Sequence, residues 1–205
     1  MTKFSSKDNT LTQKNVVILY GSNYGFTERY SRWIAEDLQG LEDPPQVTLS
    51  PIAEATDELI ETADVLIVGA SYLGGFLTGA PTLRKRREAM AKVPHRVFFT
   101  VCFNGLSVYP REYLDNRVLK SYKEDIAGGR PTYHFRGGLD LSQMTRTHKT
   151  VLAGVRTAYK LKPHANEYDK QMIESFDNGG GDYTNRADIA PLVQTVKNML
   201  QQEMS

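Results

Sequence analysis

Residues Asn15 to Thr27 read NVVILYGSNYGFT: a run of strand-forming apolar residues, a loop of small and hydroxylated residues, and the start of a periodic segment. An apolar run this short, closed by glycine, fits a strand buried on both faces. From Thr27 to Gln39 the apolar residues Tyr30, Trp33, Ile34 and Leu38 recur at helical spacing, and Gly40 stands at the stop position. Trp33 lies in that apolar stripe and belongs to the core. A doubly buried strand turning directly into a helix is the opening unit of a parallel sheet covered by helices.

The pattern repeats outward from this unit. After a proline-containing linker (Glu42 to Pro45), Gln46 to Ser50 is a weaker strand and Asp57 to Thr62 a short helix. Asp64 to Gly69 (DVLIVG) is a second strong strand, followed by a glycine-rich loop and by a helix that starts at Pro81 and runs through Ala91. Arg96 to Val101 (RVFFTV) is the third strong strand. The next helix, Arg111 to Ile126, aligns Leu114, Val118, Tyr122 and Ile126. Thr132 to Phe135 is a fifth strand, and Ile189, Leu192, Val193, Val196 and Leu200 mark a last amphipathic helix. The expected fold is α/β, a doubly wound five-stranded parallel sheet. Residues 138–183 are far too long for an ordinary connection. They read as a helical insertion before the last helix, ending at a flexible Gly179-Gly180-Gly181. Residues 1–14 read as a flexible tail and 15–205 as a single domain.

Composition narrows the function. The chain has 205 residues, 25 basic and 24 acidic, for a net charge of +1. A dedicated nucleic-acid binder would be clearly basic, and the run Arg84-Lys85-Arg86-Arg87 cannot share one helical face, so it reads as solvated surface. The lone Cys102 excludes an internal disulfide, and the four histidines lack metal-site spacing, so no metal is expected. The polar N-terminus lacks a signal-peptide core, and no apolar run approaches the roughly 20 residues of a membrane span, so a cytoplasmic protein is expected.

In an open parallel sheet, ligands bind beyond the carboxyl ends of the strands. The first such loop is Gly21-Ser22-Asn23-Tyr24-Gly25-Phe26-Thr27. It opens a helix whose unpaired N–H groups favour an anion, with hydroxyl donors from Ser22 and Thr27. It lacks the Gly-Lys-Ser/Thr of a Walker loop, the dinucleotide glycine spacing and any cation. Neutral donors of this kind suit a tightly held phosphate monoester; alternatively they simply turn and cap the chain. The second loop is Ala70-Ser71-Tyr72-Leu73-Gly74-Gly75-Phe76, and the third is Thr100-Val101-Cys102-Phe103-Asn104-Gly105. Cys102 reads as a small buried hydrophobe rather than a catalytic thiol.

Ser22-x-x-Gly25-x-Thr27 after a strand resembles the phosphate loop of the flavodoxins. That resemblance implies a sheet of order 2-1-3-4-5 and FMN as cofactor, with Ser22, Asn23, Tyr24, Gly25, Phe26 and Thr27 around its 5′-phosphate. Tyr24 stands where that family usually has a threonine. The resemblance further implies that Ser71, Tyr72, Leu73, Gly74 and Gly75 flank the flavin ring, and that Val101, Cys102, Phe103, Asn104 and Gly105 hold its pyrimidine side. The absence of an adenosine-binding motif favours FMN over FAD. The pieces VVILYGSNYGFTERY, DVLIVGASY and HFRGGL are similar to the menaquinone-dependent protoporphyrinogen dehydrogenase branch, whose members pass electrons from a porphyrinogen to a quinone. That likeness implies that Arg136, Gly137 and Gly138 lie near the flavin or the insertion.

Three functions follow. An FMN-dependent oxidoreductase acting on a quinone or another small redox substrate is favoured by the near-neutral charge and by flavin loops free of Asp and Glu. A one-electron carrier docking on a redox protein is normally strongly acidic. A flavin-free binding module would be the reading if Tyr24 weakens the phosphate loop. No general acid or base is singled out; Tyr72, Tyr109 and His134 are within conceivable reach. Thr145 to His164 carries five Lys or Arg and no acid, with Val151, Leu152, Val155, Ala158 and Tyr159 in one arc. This basic amphipathic helix suits peripheral contact with the inner face of a membrane or an acidic substrate. It equally suits packing on the sheet edge, or pairing with the net-acidic stretch Ala165 to Asp188.

Overall fold

Val16 and Ile18 bury into one hydrophobic core while Val17 and Leu19 bury into another. Strand β1 (Asn15–Gly21) therefore lies inside a sheet covered on both faces, as its unbroken apolar run requires. The computed structural model describes residues 13–142, 144, 146–164 and 166–202. The flexible tail expected over 1–14 lies, apart from residues 13 and 14, outside the described residues.

The parallel strands are β1, β2 (Gln46–Pro51), β3 (Val65–Leu73), β5 (His95–Cys102) and β6 (Thr132–Arg136), and the short β4 (Phe76–Leu77) pairs antiparallel with β3. The order is β2-β1-β3-β5-β6, every neighbouring pair on this path parallel. Apart from β4, this is the expected 2-1-3-4-5. On one face, Tyr30, Ile34 and Leu38 of α1 (Phe26–Gln39) pack with Leu192, Val196 and Leu200 of α9 (Ala190–Gln202). The opposite face is covered by α2 (Asp57–Glu61), α3 (Ala80–Arg84), α4 (Arg87–Lys92), α5 (Arg111–Tyr122) and α6 (Glu124–Ala127). Trp33 is half-buried, edge-on to Tyr30 at 5.3 Å.

Two expected helices are each broken in two. The segment after Pro81 stops at Arg84 and restarts at Arg87, because Arg86 leaves the helical region (φ −107°, ψ 21°). Its guanidinium pairs with Asp57 at 2.9 Å, while Arg84, Lys85 and Arg87 are exposed. The segment to Ile126 turns at Lys123 (φ 72°), which starts α6 in a new direction. That turn brings the Ile126 carbonyl to Arg96, an arginine only 4% exposed. Arg96 also donates to the carbonyls of Met90 (2.7 Å), Ala91 (3.2 Å) and Val93 (2.8 Å), closing the C-terminal end of α4. One buried cation thus satisfies carbonyls from two connections beneath the sheet.

The insertion is a clasp with two helices inside it. Strands β7 (Gly138–Asp140) and β8 (Gly180–Asp182) pair antiparallel around α7 (Arg146–Lys160) and α8 (Glu167–Asp177). Gly180 and Gly181, expected as a flexible end, are strand residues instead. Their lack of a side chain is what the pairing needs: a Cβ on Gly138 would stand 2.3 Å from the Gly181 carbonyl oxygen, and one on Gly181 would stand 2.5 Å from Ser175 Oγ. The basic helix is paired with its acidic neighbour. Arg156 and Lys160 of α7 both reach Asp177, and Lys162 reaches the buried Asp169 at 2.6 Å. No helix among the described residues is long and apolar enough to cross a membrane.

His134 sits wholly inside, between Thr100 Oγ1 (2.7 Å) and Asp115 Oδ1 (2.8 Å). Burial holds its pKa below the ordinary histidine value, against the opposing pull of Asp115. The unfolded chain therefore binds the extra proton first as pH falls through about 6.5. Stability is expected to be complete above that pH and to decline below it, with the acid-side loss reduced in His134→Gln; urea midpoints at pH 7.5 and 5.5 measure both. Arg96→Met, which removes the guanidinium from four carbonyls and leaves the Met90 carbonyl only its Val93 N–H, is expected to lower unfolding free energy by about 3 kcal/mol or more, measured by the same titration at pH 7.5.

Candidate functional site

Helix α1 begins without a side-chain cap. Its N-cap is Gly25, at φ +82°, and the first helical bond runs from Arg29 N–H to the Gly25 carbonyl. The N–H groups of Phe26, Thr27 and Glu28 in the first turn thus have no helix carbonyl to bond and stand at the positive end of the helix dipole. The loop that presents them is tied to the end of β3. Ser71 Oγ donates to the Gly21 carbonyl (3.0 Å) and accepts from the Asn23 N–H (3.2 Å), and Asn23 Nδ2 donates to Thr78 Oγ1 (2.8 Å). Thr27, expected as a ligand donor, is buried with its hydroxyl 3.4 Å from Ser71. Ser22 Oγ is the decisive atom, because it is buried and has no hydrogen-bond partner among the described residues. An orphaned hydroxyl beside unpaired helix N–H groups fits the phosphate of a cofactor, which would accept from both.

The glycine-rich loop after β3 is a tight hairpin. Tyr72 pairs with Leu77 and Leu73 with Phe76. The two residues between, Gly74 (φ +59°) and Gly75 (φ +94°), both adopt the left-handed backbone of a two-residue β-turn, which side chains disfavour. This lifts Phe76 to the tip, 80% exposed, and leaves Tyr72 inside.

The third loop leaves β5 at Cys102. The Gly105 N–H donates to Cys102 Sγ at 3.2 Å, and burial pushes the thiol up to about 11. A thiol that stays protonated and engaged is no nucleophile at neutral pH. Phe103 is held from outside by Arg136, whose Nε donates to the Phe103 carbonyl at 3.1 Å. Gly137 and Gly138 follow directly, so these three residues stand between loop and insertion.

The three loops and the insertion enclose a cavity of about 720 Å³, within the range of roughly 300–1,000 Å³ typical of cofactor and ligand sites. Of the sixteen residues expected at the site, all but Gly25 and Gly105 line it; those two take the left-handed backbone at φ +82° and +50°. Tyr109 lines it as well. His134 does not, being held in the core. The sequence reading missed the wall from α5, made by Tyr113 and Arg117, although their spacing of four on one helix placed them on a common face. It also missed where the apolar arc of α7 would settle: Leu152, Val155 and Tyr159 close the cavity together with Met144 and Met172. Arg117 is the one charged residue among the described lining residues, and no carboxylate is among them.

Tyr72 and Tyr113 share a hydrogen bond of 2.9 Å, and Arg117 donates to the Tyr113 oxygen at 2.7 Å while lying 4.7 Å over its ring. Tyr109 stacks on Tyr113 at 5.1 Å. Burial, and then the bond to Tyr113, raise the Tyr72 pKa, whereas the bonds from Tyr72 and Arg117 lower that of Tyr113. Among the described residues no group of His, Cys, Asp and Glu is arranged to hold a metal ion.

A family model described as flavodoxin domain matches residues 17–183. Among solved structures, the chain is similar to oxidised flavodoxin 1 from Bacillus cereus, with 20% identity over 54% of this chain and 78% of that chain and a TM-score of 0.38. It is also similar to the flavodoxin of Streptococcus pneumoniae TIGR4, with 15% identity over 80% of this chain and 96% of that chain and a TM-score of 0.41. Two-electron reduced flavodoxin from Megasphaera elsdenii matches with 16% identity over 57% of this chain and 80% of that chain and a TM-score of 0.43. No curated protein matches the chain in sequence.

Ser22→Ala removes the orphaned hydroxyl without touching the backbone donors. It is expected to weaken binding of a phosphate-bearing flavin about ten-fold, as for a hydrogen bond to a charged group, measured by quenching of flavin fluorescence. An unchanged affinity would take the first loop out of the site.

Proposed function

This chain belongs to the flavodoxin domain family, and on that premise we propose that it holds FMN and acts as an oxidoreductase on a flat substrate. The chemistry supplied by FMN is the transfer of one or two electrons. Ser22 and the open N-terminus of α1 would hold the phosphate, with the Gly74–Gly75 hairpin and the Val101–Asn104 stretch on either side of the ring. The observation that carries the reading is the fourth wall of the cavity. Leu152, Val155, Tyr159 and Met172 of the insertion line the same space as the strand-end loops, with no carboxylate among the described lining residues. An apolar wall there excludes water and offers a surface to a flat molecule lying beside the cofactor. A carrier meets its partner proteins through an acidic, steering surface, and here neither the cavity lining nor the net charge of +1 supplies one.

In its finer form, the proposal is the reaction that the sequence resemblance implies: electrons taken from a porphyrinogen-like donor and passed to a quinone, on the cytoplasmic side of a membrane. Quinones partition into bilayers, so peripheral contact would favour the encounter. Phe76 at the hairpin tip and Leu161 just beyond α7, 80% and 76% exposed, are apolar groups suited to that contact.

The test uses the full chain, purified and supplied with FMN, reduced without oxygen and mixed with a soluble naphthoquinone. The expected outcome is bound flavin whose absorbance returns rapidly on mixing. Absence of flavin binding would favour the binding module. Bound flavin that ignores the quinone, yet is reoxidised by a redox protein, would favour the carrier.

A further inference from the structure

The α5 wall of the cavity carries polar groups that the flavin loops leave unexplained. Tyr72 and Tyr113 together own two phenolic hydrogens. One is spent on the 2.9 Å bond between them, whichever oxygen donates. The other has no acceptor among the described residues. Arg117 is only partly spent: it donates to Tyr113 and stacks on its ring, and among the described residues no carboxylate hydrogen-bonds or ion-pairs with it. A half-buried guanidinium without a counter-charge, next to a spare O–H on a cavity wall, is an arrangement that an incoming anion completes. Around these donors the wall is aromatic and apolar. Tyr109 and Tyr113 stack with their planes 18° apart, and Tyr159, Val155 and Leu152 stand among the lining residues from the insertion.

We propose that Arg117 and the Tyr72–Tyr113 pair form a subsite for the negatively charged oxygen of a flat ring ligand, held against the Tyr109–Tyr113 stack. The inference rests on the cavity being the substrate site proposed above and adds the groups that decide which substrates it accepts. Arg117 supplies the charge and part of the bidentate fork, the spare phenol supplies a second donor, and the ring stack sets the plane. The charged oxygen can be a carboxylate substituent or an oxygen on the ring itself; both present the same acceptor to the same donors.

Isothermal titration of the full chain, with FMN in excess, separates these cases. Three probes of similar size are compared: 2-naphthoate (carboxylate), 2-hydroxy-1,4-naphthoquinone (anionic ring oxygen at neutral pH) and the neutral 2-methyl-1,4-naphthoquinone. At least one anionic probe is expected to bind about ten-fold more tightly than the neutral one, the worth of a charge-assisted hydrogen bond, and which one does so identifies the source of the oxygen. Arg117→Gln is expected to remove that advantage while leaving the neutral probe's affinity unchanged. Tyr113→Phe is expected to reduce the advantage about three-fold or more, since it removes the hydroxyl oxygen that anchors the guanidinium and breaks the phenol pair. Equal binding of all three probes, no binding of any, or an advantage that survives in both variants would overturn the subsite. If FMN fails to bind but the discrimination is present, the flavin reading fails and the subsite stands; if FMN binds without discrimination, the subsite fails and the flavin reading stands.

Discussion

The guanidinium of Arg136 is the contact on which the assembled site depends. Arg136 ends β6, the last strand of the sheet, and points its charge between the third loop and the insertion. It donates to the Phe103 carbonyl at 3.1 Å and to Gln171 Oε1 at 2.6 Å. Its plane lies 4.0 Å from the centre of the Tyr183 ring, with Tyr168 and Phe103 at 5.3 and 5.7 Å. Bonds to a charged donor contribute about 1.5–3 kcal/mol each, and cation–π contacts about 0.5–2 kcal/mol, so this one residue can hold a long excursion of chain against the sheet. Its own carbonyl is fixed in turn: Tyr30 donates to it at 2.8 Å and accepts the Asn185 N–H at 3.0 Å. The two ends of the insertion are thereby anchored to α1, and the β7–β8 clasp lies where a roof over the strand ends must begin.

The insertion's charges are arranged to leave its apolar stripe facing inward. Asp177 takes Arg156 and Lys160, and Asp169 takes Lys162 while also closing a capping box with Asn166 at the start of α8. With these cations engaged within the insertion, Leu152, Val155 and Tyr159 are free to line the cavity. The stripe thus covers the site inside the same chain, where the sequence left open a membrane, a substrate or the sheet edge.

The cavity carries a few polar groups on an otherwise largely apolar and aromatic lining. At the first loop the donors are neutral: helix N–H groups and the Ser22 hydroxyl. On the α5 wall Arg117 is the single cation, with no carboxylate among the described lining residues. Low polarity strengthens whatever electrostatic interaction a ligand makes there. Titratable groups that would complicate such a site are kept out of play. Burial keeps the Cys102 thiol protonated, and His134 is committed to Thr100 and Asp115.

By itself, the sequence determined the sheet, its covering helices and the loops at the strand ends, because these rest on local periodicity. A doubly buried strand must be apolar throughout, as in Val16 to Leu19 and Val65 to Val68, and a covering helix must show one apolar stripe, as in Tyr30, Ile34 and Leu38. It also placed Ser22, Ser71 and Phe103 around one site, since parallel topology brings alternate strand ends together. Its helix breaks at Arg86 and Lys123 were invisible, for neither position carries a proline or glycine; contacts distant in the chain, Asp57 with Arg86 and Arg96 with Ile126, accompany them. The glycines at 180 and 181 read as flexibility because local sequence cannot show that Gly138 lies opposite. Only the tertiary structure decided that the α7 stripe faces the cavity, that Arg136 ties the insertion down, and that Arg117 meets the Tyr113 of the Tyr72–Tyr113 pair with no carboxylate paired to it among the described residues. Those facts depend on which surfaces meet, and a surface's partner is set by packing across the whole chain rather than by the residues beside it in sequence.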